Sequence, residues 1–281
     1  MQEYNELYLQ KILDFLHQKR GIDFSKYKFP CLLRRIQSRI RRIGSLDYQS
    51  YYELLASNPD EMNALIDTIT INVTSFYRDP SLYREIEHDI FPDIINKKLL
   101  QGTKILRIWS AGCASGEEAY SLAILFFEIM KRYIPQGRES NDLPLTIGIY
   151  GTDIDKEVLS VAKKGVYNYK SLKNVSEYLL NNYFVKHDYG WQIKQHIKKG
   201  VHFFQSDLTG NKHFICFDLI MCRNVMIYFN EELQTKILWN FHKSLNQNGY
   251  LILGKSETLL REAYTLFRHI NNKERIYQKI G

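Results

Sequence analysis

Two different spacings of apolar residues divide this chain. Up to about residue 75 the apolar residues recur at helical spacing, and the pattern breaks at Gly21, Gly44 and Asn58-Pro59. From Lys104 onward, short runs rich in β-branched and aromatic residues alternate with helical patterns. Such alternation predicts βαβ units and a parallel sheet. We therefore predict a small all-helical domain at residues 1–75, followed by an α/β domain at 76–281.

The patterns also give approximate bounds for the elements. In the first domain they predict helices over 6–20, 31–43, 47–56 and 61–71. In the second domain they predict strands over 104–109, 145–151, 201–204, 217–222 and 249–254, and helices from Ser81 and over 116–132, 155–164 and 231–246. The end of the chain predicts a hairpin turned at 271–273. Residues 131–144 form a predicted polar loop, and 165–200 an insertion with a hairpin at Asp188-Tyr189-Gly190.

Composition narrows the class of protein. The 281 residues are 44% hydrophobic and 25% charged, as in ordinary soluble domains. No apolar run approaches the roughly 18 residues of a membrane span, and the N-terminus has no secretory pattern. The four cysteines have no zinc-binding spacing, so we expect a cytoplasmic protein with no metal site and no direct membrane insertion. The net charge of +7 favours an acidic partner, whether nucleic acid, membrane or protein.

The stretch IWSAGCASGEEAYSLA, residues 108–123, joins a strand to a helix through a turn of small residues. In α/β proteins such a turn holds a nucleotide-like ligand. The phosphate loop of NTPases requires Lys after its last glycine, but Glu117 follows Gly116, and the G-x-G-x-x-G spacing is also absent. The turn, including Gly112, is similar to the D-x-G-x-G-x-G loop of S-adenosylmethionine (SAM) methyltransferases, whose ligand is cationic and carries no phosphate.

Acidic residues follow three of the predicted strands. We assign Glu118 to a capping box with Ser115, and Glu117 to the SAM ammonium group, with helix-dipole stabilisation as the alternative role of Glu117. Asp153 ends the second strand, where a carboxylate can bind a ribose diol. Asp207, with Leu208 beside it, ends the next strand and is a candidate for binding the adenine amino group.

The segment FDLIMCRNVMIYF, residues 217–229, carries a cation, an amide and a phenol in Arg223, Asn224 and Tyr228. In this fold the segment lines the methyl-transfer site, and methyltransferases of amino groups often carry N-P-P-[YF] there. A cation and a phenol instead suit an anionic acceptor such as a glutamate carboxylate, which is ionised and nucleophilic at pH 7. The alternative is that Arg223 is a structural ion-pair residue and Tyr228 a core aromatic.

Four motifs taken together resemble one family. NVTSFYRDP, WSAGCASGEEAYSLA, GTDID and CRNVMIYF resemble the chemotaxis receptor methyltransferases, the CheR family, over residues 5–280. The resemblance implies a helical domain followed by a class I SAM-dependent (Rossmann-like) methyltransferase domain with a small β-subdomain insertion. It also implies that SAM is the cofactor, with S-adenosylhomocysteine as product. The implied activity is methyl esterification of glutamates on cytoplasmic helices of bacterial chemoreceptors, in chemotaxis adaptation.

The resemblance also assigns roles to residues. Asn72, Thr74 and Arg78 resemble the segment that closes over SAM, and Arg78 is also the candidate catalytic cation for the glutamate carboxylate. Arg223-Asn224 resembles a SAM-contacting pair, and Tyr228 a tyrosine that assists transfer. Asp207-Leu208 stands where many members have Asn-Leu, so the adenine contact can differ. In some members the β-subdomain binds a receptor tail, and the short hairpin here leaves that open.

The helix CLLRRIQSRIRRIG, residues 31–44, supplies much of the positive charge. Helical geometry predicts Leu33, Ile36, Ile40 and Ile43 on one face, and it predicts a basic strip opposite, formed by Arg34, Arg35, Arg41 and Arg42, with Arg39 at its margin. We expect the strip to bind glutamate-rich receptor helices. A phosphate-binding or merely solvated strip is the alternative, and no aromatic residues interleave it as in nucleic-acid sites.

Two other functions fit the same features. One is a SAM-dependent methyltransferase of nucleic acid or of a small molecule. The other is a binding module that responds to SAM or S-adenosylhomocysteine without catalysis.

Overall fold

The chain folds into two compact units in the computed structural model. The structure describes residues 2–45, 47–70, 72–133, 144–210 and 216–281. The helical unit comprises Met1–Asn72 together with Tyr228–Gln234, and the sheet unit comprises Val73–Ile227 and Thr235–Gly281. In the described parts of the chain, no helix is long and apolar enough to cross a membrane.

The helical unit is built from four amphipathic helices. They are α1 (Gln2–Arg20), α2 (Phe29–Ile43), α3 (Tyr48–Ser57) and α4 (Pro59–Thr70). Helix α1 packs on α3, and α2 packs on α4. Gly44 ends α2 in the left-handed conformation, and Asp47 caps α3 by accepting a hydrogen bond from the Ser50 amide. The predicted helix ends thus follow from capping chemistry, although Ile71 lies outside the described residues.

A short distant segment completes the helical unit. Tyr228–Gln234 is held against the loop before α2 by an isolated β-bridge between Tyr27 and Phe229. The Lys28 amide donates to the Tyr228 carbonyl at 2.7 Å, and the Asn230 amide donates to the Lys26 carbonyl at 2.9 Å. The backbone of this segment is therefore fixed on both sides of Phe229.

The basic strip predicted on α2 needs correction. The buried face of the helix is formed by Leu32, Arg35, Ile36 and Ile40, whereas Leu33 is only half-buried and Ile43 is 37% exposed. These four residues are spaced i, i+3, i+4 and i+8 and all face the core, so the buried face of the helix is rotated relative to the predicted one.

The rotation moves two arginines out of the strip. Arg35 was predicted to be exposed, but it lies inside the helical unit. Arg39 donates to both carboxylate oxygens of Glu61, at 2.8 and 2.6 Å, and Tyr51 donates to Glu61 as well. The exposed strip is therefore Arg34, Arg41 and Arg42.

A seven-stranded sheet forms the centre of the sheet unit. Its strands are β1 (Ile105–Ala111), β2 (Thr146–Asp153), β6 (Val201–Gln205), β7 (Phe217–Cys222), β8 (Leu245–Leu253), β9 (Phe267–Asn271) and β10 (Ile276–Lys279). The order is β6-β2-β1-β7-β8-β10-β9, and every neighbouring pair from β6 to β8 is parallel. The predicted parallel sheet is confirmed, and β10 runs antiparallel to both of its neighbours.

The strand order places a topological switch at β1. The chain continues from β1 to β2 and β6 on one side, then returns to β7 and β8 on the other. Ligands of open α/β sheets bind where the order reverses, at the carboxyl ends of the strands. The loops after β1 and β7 are adjacent at that point.

Helices cover the sheet. They are α5 (Pro80–Glu85), a π-helical turn (Ile86–Ile90), α6 (Phe91–Leu100), α7 (Glu117–Met130), α8 (Lys156–Lys164) and α11 (Glu231–Ser244). Helix α7 is buried along most of its length, as its high apolar content requires. The predicted polar loop at 131–144 begins with a 3₁₀ turn at Lys131–Tyr133, and residues 134–143 lie outside the described part.

The insertion at 165–200 contains a second, three-stranded sheet. Its elements are β3 (Val166–Tyr167), α9 (Glu177–Tyr183), β4 (Phe184–His187), β5 (Gly190–Ile193) and α10 (Gln195–Lys198). Strands β4 and β5 pair antiparallel, with His187 opposite Gly190, which confirms the predicted hairpin. The sequence patterns did not predict β3 or the two short helices, since each has seven residues or fewer.

A candidate cofactor site at the carboxyl ends of the strands

The loop after β1 has an unusual backbone that small residues make possible. Gly112, Ala114 and Gly116 have φ angles of 75°, 46° and 91°, so three alternate positions are left-handed. The amides of Gly112 and Cys113 donate to the Thr152 carbonyl at 2.8 and 2.9 Å. The loop is therefore bent back onto the end of β2.

The two glycines of this loop also lie too close to neighbouring residues to carry a side chain. A Cβ atom on Gly112 would lie 2.4 Å from Val225 in the loop after β7. A Cβ on Gly116 would lie 2.9 Å from both Ala162 and the Phe203 ring. The SAGCASG turn thus brings the backbone of the β1 loop against the β7 loop at the switch point.

Asp153 fastens the end of β2 to this turn. It is 9% exposed, and its Oδ2 accepts a hydrogen bond from the Ala114 amide at 2.9 Å. Its Oδ1 accepts one from the Asp155 amide at 3.1 Å. Burial raises the pKa of Asp153, partly offset by these amides. The Ile154 amide also interacts with the carboxylate. A carboxylate has about four lone-pair sites, so capacity for a ribose hydroxyl remains. Asp155 itself caps α8 as predicted.

The Glu117 side chain is almost fully buried and is bonded within the protein. It is 2% exposed, and its two oxygens accept hydrogen bonds from Ser115 Oγ at 2.7 Å and from Ser171 Oγ at 3.1 Å. Burial raises the pKa of Glu117. Both oxygens thus have hydroxyl partners within the protein, and Ser171 belongs to the insertion at 165–200.

Glu118 is not the capping residue that the sequence suggested. Gly116 is the N-cap of α7 and makes no side-chain cap, so the capping box with Ser115 is wrong. The Glu118 carboxylate instead accepts a hydrogen bond from Ser110 Oγ at 2.7 Å, at the end of β1. Burial raises its pKa to about 7, while Arg223 and, more weakly, Arg78 lower it. Glu118 is half-buried and therefore retains an accessible edge.

Arg223 holds the turn that contains Arg78. Arg223 is 7% exposed; its Nη2 pairs with the Asp79 carboxylate, and its Nη1 donates to the Arg78 carbonyl at 3.2 Å. Tyr77 and Asp79 have φ angles of 48° and 61°, which are unfavourable for residues other than glycine. Arg223 thus stabilises a strained turn. Arg78, Asp79, Glu118 and Arg223 form what we call the polar cluster.

Arg78 itself is only partly satisfied. It is half-buried, and its Nη1 donates to the Val73 carbonyl at 2.7 Å. A guanidinium group has five N–H donors in a planar fork. Of the described residues, none forms an ion pair with Arg78 within 4.0 Å. The remaining donors are available to an anion.

Sequence reasoning missed one residue of this region, Glu257. It is 4% exposed and lies after β8. Its carboxylate accepts hydrogen bonds from four backbone amides, those of Asn224, Val225, Ile227 and Gly254, at 2.6–3.3 Å. An acid shortly after a buried strand was the available signal, because the same rule singled out Asp153. Glu257 thereby fixes the loop in which Asn224 has a φ of 61°.

The other candidates are dispersed. Asp207 accepts hydrogen bonds from the Thr209 amide and hydroxyl, both at 2.7 Å, and lies with Leu208 beside a small pocket that includes Trp109. Thr74 is half-buried in the sheet unit, in the segment before Arg78. Asn72 and Tyr228 belong to the helical unit.

Comparison with known proteins supports the same assignment. The family model described as CheR methyltransferase, all-alpha domain, matches residues 8–70, and the one described as CheR methyltransferase, SAM binding domain, matches 72–276. A chemotaxis protein methyltransferase from Borreliella burgdorferi is 32% identical over 256 residues, which cover 89% of this chain and 88% of the relative. A putative methyltransferase, Cher3, from Pseudomonas putida is 31% identical over 287 residues, which cover 98% and 97%.

A longer relative matches over a part of its length. An uncharacterised 104.1 kDa protein of Rhodobacter capsulatus is 31% identical over 272 residues, covering 97% of this chain but 27% of that protein. Both domain models match in the order that the helical and sheet patterns predicted. The chain therefore belongs to the CheR methyltransferase family and is a SAM-dependent methyltransferase.

Proposed function

We propose that this protein transfers the methyl group of SAM to glutamate side chains of chemoreceptors, forming methyl esters in chemotaxis adaptation. The observation that carries the proposal is the polar cluster, in which the partly buried carboxylate Glu118 lies near the partly buried cation Arg78 beside the glycine turn. A carboxylate and a guanidinium together complement the ammonium and carboxylate groups of an amino acid such as the methionine part of SAM.

The structure favours an exchange of roles between the two glutamates. Glu118 is the better candidate for the SAM ammonium, because it is less buried than Glu117 and only one of its oxygens accepts a hydrogen bond from a serine, Ser110. Glu117 is buried and bound by two serines, so we assign it to holding the turn. The backbone of the turn at Gly112 would contact the cofactor, and Asp153 would bind the ribose.

The remaining cofactor contacts follow the family pattern. Asn72 and Thr74 would cover SAM, Asp207 and Leu208 would contact the adenine, and Arg223 and Asn224 would line the site after β7. For Arg223 the structure adds a second role, because its guanidinium supports the Arg78 turn. When bound, SAM supplies a methyl group on a positively charged sulfur.

Arg78 would orient the acceptor. A glutamate carboxylate is already ionised at pH 7, so the protein needs to supply position and charge compensation and no general base. The free donors of Arg78 suit a carboxylate, and Arg223 keeps the Arg78 turn in place. Tyr228 is the second catalytic candidate, and its hydroxyl would assist transfer.

The partner is proposed from charge. Arg34, Arg41 and Arg42 are exposed on α2 and form no ion pair within the described chain, so they can meet glutamate-rich receptor helices. Replacing the three together by Ala should weaken receptor binding and its salt dependence while SAM affinity stays unchanged. Equal receptor affinity at low salt would show that the strip is merely solvated.

The decisive experiment measures methylation by Arg78→Ala. With labelled SAM and a receptor substrate, turnover should fall at least about tenfold, which corresponds to about 1.4 kcal/mol of transition-state stabilisation. Arg78→Lys should restore part of it, since an ammonium lacks the planar fork. Arg84→Ala, an exposed arginine on α5, is the matched control.

The product identifies the acceptor. Base treatment of the labelled receptor should release methanol, because methyl esters hydrolyse readily. Label that stays on the protein, or that appears on nucleic acid or a small molecule, would exclude glutamate esterification. Near-normal turnover of Arg78→Ala at saturating receptor would remove Arg78 from the mechanism and leave Tyr228 as the candidate.

A further inference from the structure

One arginine of α2 points inward while its neighbours face solvent. Arg35 is 7% exposed, whereas Arg34, Arg41 and Arg42 on the same helix are exposed. A buried guanidinium group ordinarily needs a carboxylate partner, because desolvating a charge is expensive. In the part of the chain that the structure describes, Arg35 forms no ion pair within 4.0 Å, unlike Arg39 with Glu61.

The contacts of Arg35 are instead a carbonyl and an aromatic ring. Its Nη1 donates to the Ile69 carbonyl near the end of α4, where the helix dipole favours a cation. Its guanidinium carbon lies 4.1 Å from the centroid of the Tyr228 ring. Its Nε is buried without a hydrogen-bond partner in the described residues. Stability alone would favour an apolar side chain at this position.

Tyr228 receives its other constraints from the backbone. Its carbonyl is bonded to the Lys28 amide, and the Tyr27 and Phe229 rings next to it meet edge to face at 4.9 Å. These contacts fix the backbone at residue 228 and do not involve the Tyr228 side chain. The Arg35 guanidinium adds a constraint on the ring itself, since it lies over a face of it.

We propose that Arg35 is a positioning residue for Tyr228, holding the plane of the phenol ring from the receptor-binding helix. Arg35 then acts on turnover through Tyr228 and not on receptor affinity through the surface of α2. The inference rests on the proposed function, in which the Tyr228 hydroxyl assists methyl transfer.

The test separates kcat from the KM for receptor. Arg35→Met roughly keeps the volume of the side chain and removes the guanidinium over the ring, and it should lower kcat about tenfold while the receptor KM changes less than about twofold. Arg34→Met, the exposed neighbour on the same helix, should act on the receptor KM. Arg35→Lys retains the charge without the planar guanidinium, and its kcat should remain low. If Arg35→Met does not fold, the kcat of Arg35→Lys tests the proposal.

A double-mutant cycle identifies the route. In a Tyr228→Ala background, Arg35→Met and Arg35→Lys should lower kcat no further, because the ring that Arg35 positions is absent. Additive losses in kcat would overturn the inference, as would an Arg35 variant that raises the receptor KM alone. Normal turnover of both Tyr228→Phe and Tyr228→Ala would instead remove the proposed part of Tyr228 in transfer, an outcome that the single variants reveal without Arg35.

Discussion

The loops after β1 and β7 meet at the same switch point but are held by different means. The β1 loop, residues 111–116, is shaped by its own small residues, three of which adopt positive φ angles, and by the adjacent end of β2. The β7 loop, residues 223–227, carries Arg223, Asn224 and Val225 and depends on one carboxylate, Glu257, which lies 30 or more residues further along the chain.

The two loops should therefore respond differently to substitution. A change in the β1 loop strains a few dihedral angles or one close contact, so its effect should remain local. Loss of Glu257 leaves four amides, one buried and three partly buried, without this acceptor at once. Orphaned buried amides each carry a penalty of about 1–3 kcal/mol, so the β7 loop should collapse as a whole.

The largest effect is expected for Glu257→Gln. The amide retains one acceptor oxygen but presents NH₂ to two backbone donors, so at least two charge-assisted hydrogen bonds are lost. We expect the free energy of unfolding to fall by about 3 kcal/mol or more and SAM affinity to fall at least about thirtyfold. Calorimetry of SAM binding and thermal unfolding measure the two effects.

A matched glutamate tests whether the clamp is specific. Glu262 is exposed, and its side chain is not part of the loop, so Glu262→Gln should change neither affinity nor stability. If Glu257→Gln bound SAM like the natural protein, the β7 loop would hold itself, and the contrast between the two loops would disappear.

The next effect is expected at the contact between the loops. The Cβ of Gly112→Ala would lie 2.4 Å from Val225 and would also occupy a φ of 75°. We expect SAM affinity to fall about tenfold, because the two loops must separate. Gly102→Ala is the control, since Gly102 has a φ of 65° but no heavy atom within 4 Å of a Cβ. Equal behaviour of the two variants would show that only the dihedral strain matters.

Much of the fold followed from periodicity because its elements are long and regular. Strands such as β7, FDLIMC, and helices such as α8, capped by Asp155, carry their signals in their own residues. The π-helical turn at Ile86–Ile90 had no such signal. It lies inside a continuous helical pattern, and its hydrogen-bond register is set by packing.

The site was harder to predict because many of its contacts join residues that are distant in the sequence. The turn SAGCASG and Asp153 were found because glycine spacing and strand ends are local features. We propose exchanged roles for Glu117 and Glu118, which the sequence could not distinguish because adjacent helix positions differ by about 100° in direction and Ser171, which binds Glu117, lies 54 residues away. Arg35 was assigned to the wrong face because the buried face of α2 is rotated relative to the prediction. Glu257 was missed although it follows a buried strand, because the four amides that it binds lie partly in a distant loop.

Glu118 tests whether charge couples the two loops. It lies in the first turn of the helix after the β1 loop; burial raises its pKa to about 7, and Arg223 of the β7 loop opposes that rise. The ammonium of SAM needs the ionised form, so SAM affinity should rise as pH increases from about 5.5 to about 7.5. Calorimetry should show that Glu118→Gln loses this dependence and binds about tenfold more weakly at the upper pH.

The sign for stability is opposite. The pKa of Glu118 in the folded protein exceeds its ordinary value of 4.5, so the folded state binds the proton more tightly. Its contribution to the free energy of unfolding is fully present below about pH 4.5 and is lost as pH rises through about 7. Glu117→Gln is the contrast, because that carboxylate is enclosed by serines. If Glu117→Gln rather than Glu118→Gln removed the pH dependence of binding, the exchange of roles would be wrong.

The smallest effect is expected for Ala114→Gly, which tests the claim that the β1 loop depends on backbone conformation. Ala114 has a φ of 46°, where a Cβ atom is unfavourable by about 1–2 kcal/mol. Glycine removes that strain but increases the entropy of the unfolded chain by roughly 0.4–1 kcal/mol. The net result should be a gain of about 0.5 kcal/mol in the free energy of unfolding, with the amide bond to Asp153 retained. Chemical denaturation measures it against Ala64→Gly, in the middle of α4, which should lose about 1 kcal/mol. Equal losses in both variants would mean that the left-handed Ala114 carries no strain, and that the β1 loop, like the β7 loop, is held by its contacts.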